Sequence, residues 1–394
     1  MHSLPHDHTG TRMKRLRLER HLTQRAVCDL AQVPYSTYTK TEQGVIPASP
    51  HLIAAVARAL RVSVATITGQ PYAAELRADE LDVLIRPIRE ALDVYDLGAD
   101  PDITPRALRL LTADAEALLV AVRAGEIKQT AGRLPGLMQE ATTAAHLAPA
   151  REGWLLLASL YRTAYDVSSK LGYYDLAALS LARMDWAAER GSDAVFGGMY
   201  RYMRALTYLR DGEYRTGERL VQLGLRTLAQ ADASREREVV TGQLHLGAAV
   251  MAGRSKDRGR ADGHLDEAER IAADTGEAVA THWLAFGPTN VKVHRVSVLA
   301  ELDEYGQAAQ AARGVALPQD WPKSRKSHHF AELARAQLWT GNLDDSFQNL
   351  LRARKAAPQQ ARYHQTVRET YAGLEAARRQ LPEGFLSYGS WLGA

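Results

Sequence analysis

Five side chains near the amino end of the 394-residue chain, Tyr35, Ser36, Thr39, Lys40 and Gln43, have a spacing that puts them together. They fall at i, i+1, i+4, i+5 and i+8, which is one face of an α-helix. The set offers hydroxyls, an amide, an aromatic ring and a cation. That chemistry recognises a hydrogen-bonding surface; it holds no nucleophile with a supporting base. Nothing elsewhere changes this picture. There is no phosphate-cradling loop of the P-loop type, no glycine fingerprint after a strand and no H-E-x-x-H pair. His2, His6 and His8 lie in a polar leader, and the adjacent His328 and His329 would diverge by about 100° on a helix. Asp344 and Asp345 sit in a turn, where capping accounts for them. The single cysteine, Cys28, allows no intrachain disulfide and no cysteine-based metal site. Neither an enzyme nor a bound cofactor or metal is expected.

Short helices must position the face. The expected ones are Arg12 to Arg20, Gln24 to Ala31 after an N-cap at Thr23, and Pro34 to Gln43 closed by Gly44. A fourth starts at Ser49-Pro50 with Leu52, Ile53, Val56, Ala57 and Leu60 on its apolar side. A last short helix carries Val62, Val64 and Ile67. On the third helix Tyr38 points the other way, into the bundle. Residues 1–70 hold nine Lys/Arg against four Asp/Glu, a net +5, whereas the remaining residues sum to −2. A small basic head on a near-neutral body points to a polyanion as the partner of the head alone.

Two helices joined by a tight turn inside a basic bundle form the helix-turn-helix pattern. The run LTQRAVCDLAQVPYSTYTKTEQGVIPASPHLIAAVARALRVSVATITG resembles the XRE-type DNA-binding domain shared with lambdoid phage repressors. Leu22-Thr23-Gln24, Val33, Ser36-Thr37, Glu42, Gly44 and Leu60-Arg61-Val62-Ser63 carry the likeness. Three positions depart: Gln32 stands where the family has a turn glycine, Pro34 replaces Ser/Thr, and Thr41 replaces an apolar core residue. The resemblance implies that Tyr35, Ser36, Thr39 and Lys40 face base edges in the major groove. It implies that Gln24 holds a phosphate, and that Arg17 and Glu42 form an ion pair fixing the first helix to the third. Gln43 extends the same face.

From residue 74 onward the pattern is helical throughout, so the expected fold class is all-α. Pro87 is expected to kink or divide one helix, and helices are expected over about 106–123 and 130–147. Between 154 and 378 a weak repeat recurs, with turns at Gly172, Gly212, Gly263, Asp303 and Gly341, spaced 40, 51, 40 and 38 residues. Small residues follow each turn at Ala177, Gly217, Ala268, Ala308 and Ser346 and would let paired helices approach closely. The repeat resembles the tetratricopeptide (TPR) class, although its period exceeds the usual 34 or so, which leaves other α-solenoids open. Gly253 to Gly263 reads as an extended basic loop.

A stack of helix pairs presents a concave face. By register Arg162, Asp166, Tyr202, Asn290, His328 and Arg335 line it. The segment HWLAFGPTNVKVHR, in which Thr289 or Asn290 would cap a new helix after Gly287-Pro288, is similar to one in bacterial regulators that join an XRE head to a TPR-like body. That likeness places Asn290 and His294 near a ligand groove. The resulting division is a disordered leader (1–10), the DNA-binding head (11–70), a linker and dimerisation region (71–150), a TPR-like ligand-sensing solenoid (151–380) and an irregular tail (381–394). The apolar run from Trp154 to Leu160 is far shorter than the roughly 20 residues that cross a bilayer, and a cytoplasmic protein is expected. Expected partners are a double-stranded operator, a second copy in a homodimer, and a signalling peptide or small molecule. Two rival readings remain open: a constitutive repressor without ligand, and a TPR adaptor that holds a signalling protein.

Overall fold

A computed structural model describes residues 8–377 and 382–393. Among them the fold is all-α, and the one strand-like contact is an isolated bridge between Ala278 and Phe286. The head is a bundle of α1 (Thr9–Glu19), α2 (Gln24–Ala31), α3 (Tyr35–Glu42), α4 (Pro50–Ala59) and α5 (Val64–Thr68). Three of its helices start on a Ser or Thr cap: Thr23 accepts from the Ala26 N–H, Ser49 from Leu52 and Ser63 from Thr66. Each such cap contributes about 1 kcal/mol. Met13, Val27, Tyr38, Ile53, Val56, Leu60 and Ile67 close into a core of the head's own.

The first helix starts earlier than its sequence implies. His8 caps it through Nδ1, accepting from the Thr11 N–H, so Thr9 and Gly10 are helical rather than part of a leader. The rest of the expected leader, residues 1–7, lies outside the described residues.

The body opens with α6 (Ala73–Ala78) and α7 (Ile85–Asp93), which carries Pro87 in its first turn and is not divided by it. Six helix pairs follow: α8 (Leu108–Ala124) with α9 (Ile127–Leu147), α10 (Arg151–Leu171) with α11 (Tyr174–Arg190), and α12 (Ala194–Asp211) with α13 (Tyr214–Ala229). Then come α14 (Arg235–Arg254) with α15 (Arg258–Thr275), α16 (Pro288–Glu301) with α17 (Tyr305–Ala312), and α18 (Lys323–Trp339) with α19 (Leu343–Ala356). Turns as short as Gly172-Tyr173 or Gly212-Glu213 force each pair antiparallel. The chain ends in α20 (Pro358–Tyr363), α21 (Gln365–Ala377) and α22 (Phe385–Leu392).

The small residues after the turns are buried at the pair contacts, where Ser346 donates to the Ala334 carbonyl. One core runs from Leu76 to Tyr363, so residues 71–150 pack with the stack rather than beside it. Two expectations are corrected. The tail is not irregular: α22 buries Phe385, Tyr388 and Leu392 against Phe347 and Tyr371. The supposed loop at 253–263 is a three-residue turn, because α15 begins at Arg258 with Asp257 capping Arg260.

The stack curls until α18 meets α8 and α20 meets α10. The head sits over the edge formed by hairpin turns. Arg58 donates to the Gly212 carbonyl at 3.1 Å, and Tyr174 donates to Gln70 at 2.8 Å. Glu369 of α21 accepts from the Ala48 N–H and from the Thr9 hydroxyl. Gly212 has φ +76°, and a Cβ there would lie 2.8 Å from the Ala54 Cβ; glycine serves both the turn and the close seat of α4.

Close packing inside the body makes one substitution informative. A Cβ on Gly242 of α14 would lie 2.1 Å from Cζ of the fully buried Phe286. Alanine normally improves a helix interior by about 1 kcal/mol, but overpacking costs about 1–3 kcal/mol. Gly242→Ala is therefore expected to lower the thermal midpoint, as scanning calorimetry would show; a raised midpoint would contradict the packing described.

Candidate nucleic-acid interface

The turn between α2 and α3 is made without glycine. Gln32 adopts a left-handed conformation (φ 54°, ψ 47°), and its N–H reaches the Cys28 carbonyl. Pro34 then supplies the extended residue from which α3 starts. The inward side of α3 holds Tyr38, Thr41 and Glu42. Thr41 tolerates its buried place because its hydroxyl donates to the Thr37 carbonyl at 2.9 Å. A Cβ on Gly10 would sit 1.8 Å from the Thr41 carbonyl oxygen, so α1 crosses α3 at backbone contact. Cys28 is buried, and burial pushes its thiol up, which leaves it unreactive.

An ion pair locks this arrangement. Arg17 of α1 grips Glu42 through Nε at 2.7 Å and Nη2 at 3.1 Å, and its Nη1 donates to the Leu22 carbonyl. The side chains are only 9% and 2% exposed. Hydrogen bonding to Glu42 raises the Arg17 pKa. Burial pushes the Glu42 carboxyl up, but the hydrogen bonds from Arg17 and Gln24 outweigh it and hold it below its usual range.

The outward side carries the predicted face. Tyr35, Ser36, Lys40 and Gln43 are exposed, Tyr35 by 47%, and Thr39 is half-buried with its hydroxyl on the Tyr35 carbonyl. Gln24 lies beside them: its Nε2 donates to Glu42 at 2.7 Å and its Oε1 accepts from the Tyr35 hydroxyl at 3.2 Å. The buried pair thus orients an exposed ring through one amide. The Arg25 guanidinium stands 5.7 Å from the centre of that ring. Arg25 is an addition to the expected set, and its place one residue after Gln24 on α2 is the signal for it in the sequence. Among the described residues, the hydrogen bonds that seat the head on the body include those of Thr9, Ala48, Arg58 and Gln70, and none comes from the exposed face of α3.

The seven body residues assigned to a groove are placed differently. His328 lines a cavity between head and body. The curl of the stack closes the concave face, and the other six are buried in helix packing. Asp166 pairs with Arg123 at 2.7 Å, and Arg335 with Glu301 and Glu332. Arg162 is enclosed in α10, and burial pulls its pKa down to about 10. Tyr202 accepts from Gln243, which accepts from Asn290, which accepts from Arg325 at 2.6 Å. His294 hydrogen-bonds the Asn290 carbonyl, and burial pushes its pKa down to about 3. Neither Thr289 nor Asn290 caps α16; the Glu277 carboxylate accepts from the Thr289 N–H at 2.7 Å.

Among the described residues no cluster of three or more His, Cys, Asp or Glu could hold a metal ion, and no helix is long and apolar enough to cross a membrane. No curated protein and no solved structure matches the chain. Residues 8–67 match the helix-turn-helix domain family. With α2 and α3 placed as they are, the chain carries an amino-terminal helix-turn-helix DNA-binding domain.

Proposed function

We propose that the chain is a sequence-specific transcriptional regulator of the XRE type, working in the cytoplasm as a homodimer. Its TPR-like body dimerises and senses a small molecule or a peptide; it performs no catalysis and needs no cofactor. The observation that carries the reading is the open side of α3. Tyr35, Ser36, Lys40 and Gln43 face solvent while the opposite side is fixed by Tyr38 and the Arg17–Glu42 pair. In this reading α3 enters the major groove. Tyr35, Ser36, Thr39, Lys40 and Gln43 meet base edges, and Gln24 meets a phosphate from the start of α2. One head reads a half-site of a few base pairs, so two heads about 34 Å apart are needed for useful affinity. The sensing step requires the signal to bind two seats of the head unequally.

Lys40→Ala and Tyr35→Ala are each expected to weaken binding to the cognate duplex by about 1–3 kcal/mol and to leave binding to random duplex much closer to normal. Fluorescence anisotropy on both duplexes, at matched salt, measures this. Equal loss on the two would assign these side chains to the phosphates and remove them from sequence reading.

A further inference from the structure

Between head and body lies a cavity of about 400 Å³. Its roof is made by the head, through Pro50 and Ile53 of α4, Val64 of α5 and Gln70. Its floor is made by the inner edge of the curled stack, through Lys170 of α10, Arg325 and His328 of α18, and His364. These floor residues are far apart in sequence and meet only because the stack closes on itself.

The charge in this chamber is unbalanced. Arg123, at its wall, is answered by Asp166, Arg254 by Glu301, and Glu332 by Arg335. Among the described residues Lys170 has no carboxylate within ion-pair distance and no hydrogen bond to its ammonium, and Asp166, already paired with Arg123, acts on it only at longer range. Arg325 donates to the neutral Asn290 amide oxygen, and its Nε is buried without a partner. The His364 Nδ1 is a further buried nitrogen without a partner. Burial draws the Lys170 pKa down to about 8, with Asp166 pulling the other way. Two cations held this way cost stability unless something compensates them. Among the described residues neither cation has a carboxylate within ion-pair distance, and the chamber has the size of a metabolite site.

We propose that this chamber binds a small organic polyanion carrying phosphate or carboxylate groups, neutralised by Lys170 and Arg325 and covered by α4 of the head. Because the roof belongs to the DNA-binding head, an occupant contacts both parts of the molecule at once. Its regulatory meaning rests on the function proposed above; the binding itself does not.

The test uses the full chain, with pyrophosphate and citrate as probes and chloride at equal ionic strength as control. Titration calorimetry is expected to show saturable one-to-one binding of pyrophosphate or of citrate, which separates phosphate from carboxylate chemistry. Lys170→Met and Arg325→Gln should each weaken it by about tenfold or more. Without any anion, Lys170→Met should melt higher than the parent protein, since it removes a half-buried charge that lacks an ion-pair partner; this also guards against a variant that merely fails to fold. Saturable binding of neither probe, or binding that the Lys170→Met protein retains in full, would overturn the proposal. Gel shift with and without the bound probe reads the regulatory step separately. A protein that shifts duplex yet binds neither probe refutes the chamber and spares the regulator. One that binds a probe but no duplex does the reverse.

Discussion

Glu42→Ala is expected to destabilise the head by about 3–5 kcal/mol and to abolish duplex binding. The side chain is almost wholly enclosed and takes both arms of the Arg17 guanidinium. Its removal leaves a buried arginine without a counter-charge, and that uncompensated charge, more than the lost attraction, sets the size of the effect. It also frees Gln24, and with it the hydroxyl of Tyr35. Hydrogen exchange over residues 9–68 would report the loss directly. The double replacement Arg17→Met with Glu42→Leu should recover much of the stability, because neither charge is then stranded. A cost below about 1 kcal/mol for Glu42→Ala would mean that the pair behaves like a surface ion pair. The pH dependence follows in sign. The Glu42 pKa is depressed in the folded head, so its contribution is complete above the ordinary carboxylate range and is lost as pH falls through the folded value.

Glu301→Ala should cost the body at least as much, about 3–5 kcal/mol. Glu301 ends α16 and joins Arg254 of α14, at 2.9 and 3.0 Å, to Arg335 of α18, at 3.1 Å. All three side chains are nearly enclosed. Alanine strands Arg254 and leaves Glu332 as the one carboxylate on Arg335. Urea unfolding of the variant measures the cost, and Glu301→Gln, which keeps the shape, separates charge from packing. A loss of under about 1 kcal/mol would contradict the account. Burial acts to raise the Glu301 pKa, but the two arginines override it and hold it well below the ordinary carboxylate range. Its stabilisation is therefore full above the ordinary carboxylate range and is lost as pH falls through the depressed folded value.

The local features were legible in the residues themselves. Thr23, Ser49 and Ser63 are standard N-cap types, and all three cap. The small residues after the repeat turns marked where helices touch. Tyr38 and the exposed side of α3 followed from a period of 3.6. What escaped depended on unusual local partners or on tertiary closure. His8 is not a residue from which a cap is inferred, so the sequence implies a start three residues later than the one α1 has. FLSYGSWL does carry a stripe, Phe385, Tyr388 and Leu392 at i, i+3 and i+7, but it is only two turns long and follows Pro382 and Gly384; α22 is held because its aromatic side chains find Phe347 and Tyr371. The expected groove presupposes an open face, which the curl of the stack removes. No short-range pattern reports that α18 returns to α8, so neither the burial of Asn290 and Arg335 nor the meeting of Lys170 with Arg325 could be read from spacing.

The head's placement ties these parts together. It rests on the body through the start of α1, α4, the turn before α4 and Gln70, and keeps the exposed face of α3 outward. A change in that seat would alter the angle of α3 without altering α3.

The most direct test of the central claim is selection of duplexes by the full-length protein from a randomised pool, at low and then at moderate ionic strength. The account predicts enrichment of one half-site motif, repeated at a spacing of whole helical turns, and loss of that enrichment in the Tyr35→Ala with Lys40→Ala protein. A pool that emerges unenriched, or a protein that retains no duplex even at low salt, would contradict it.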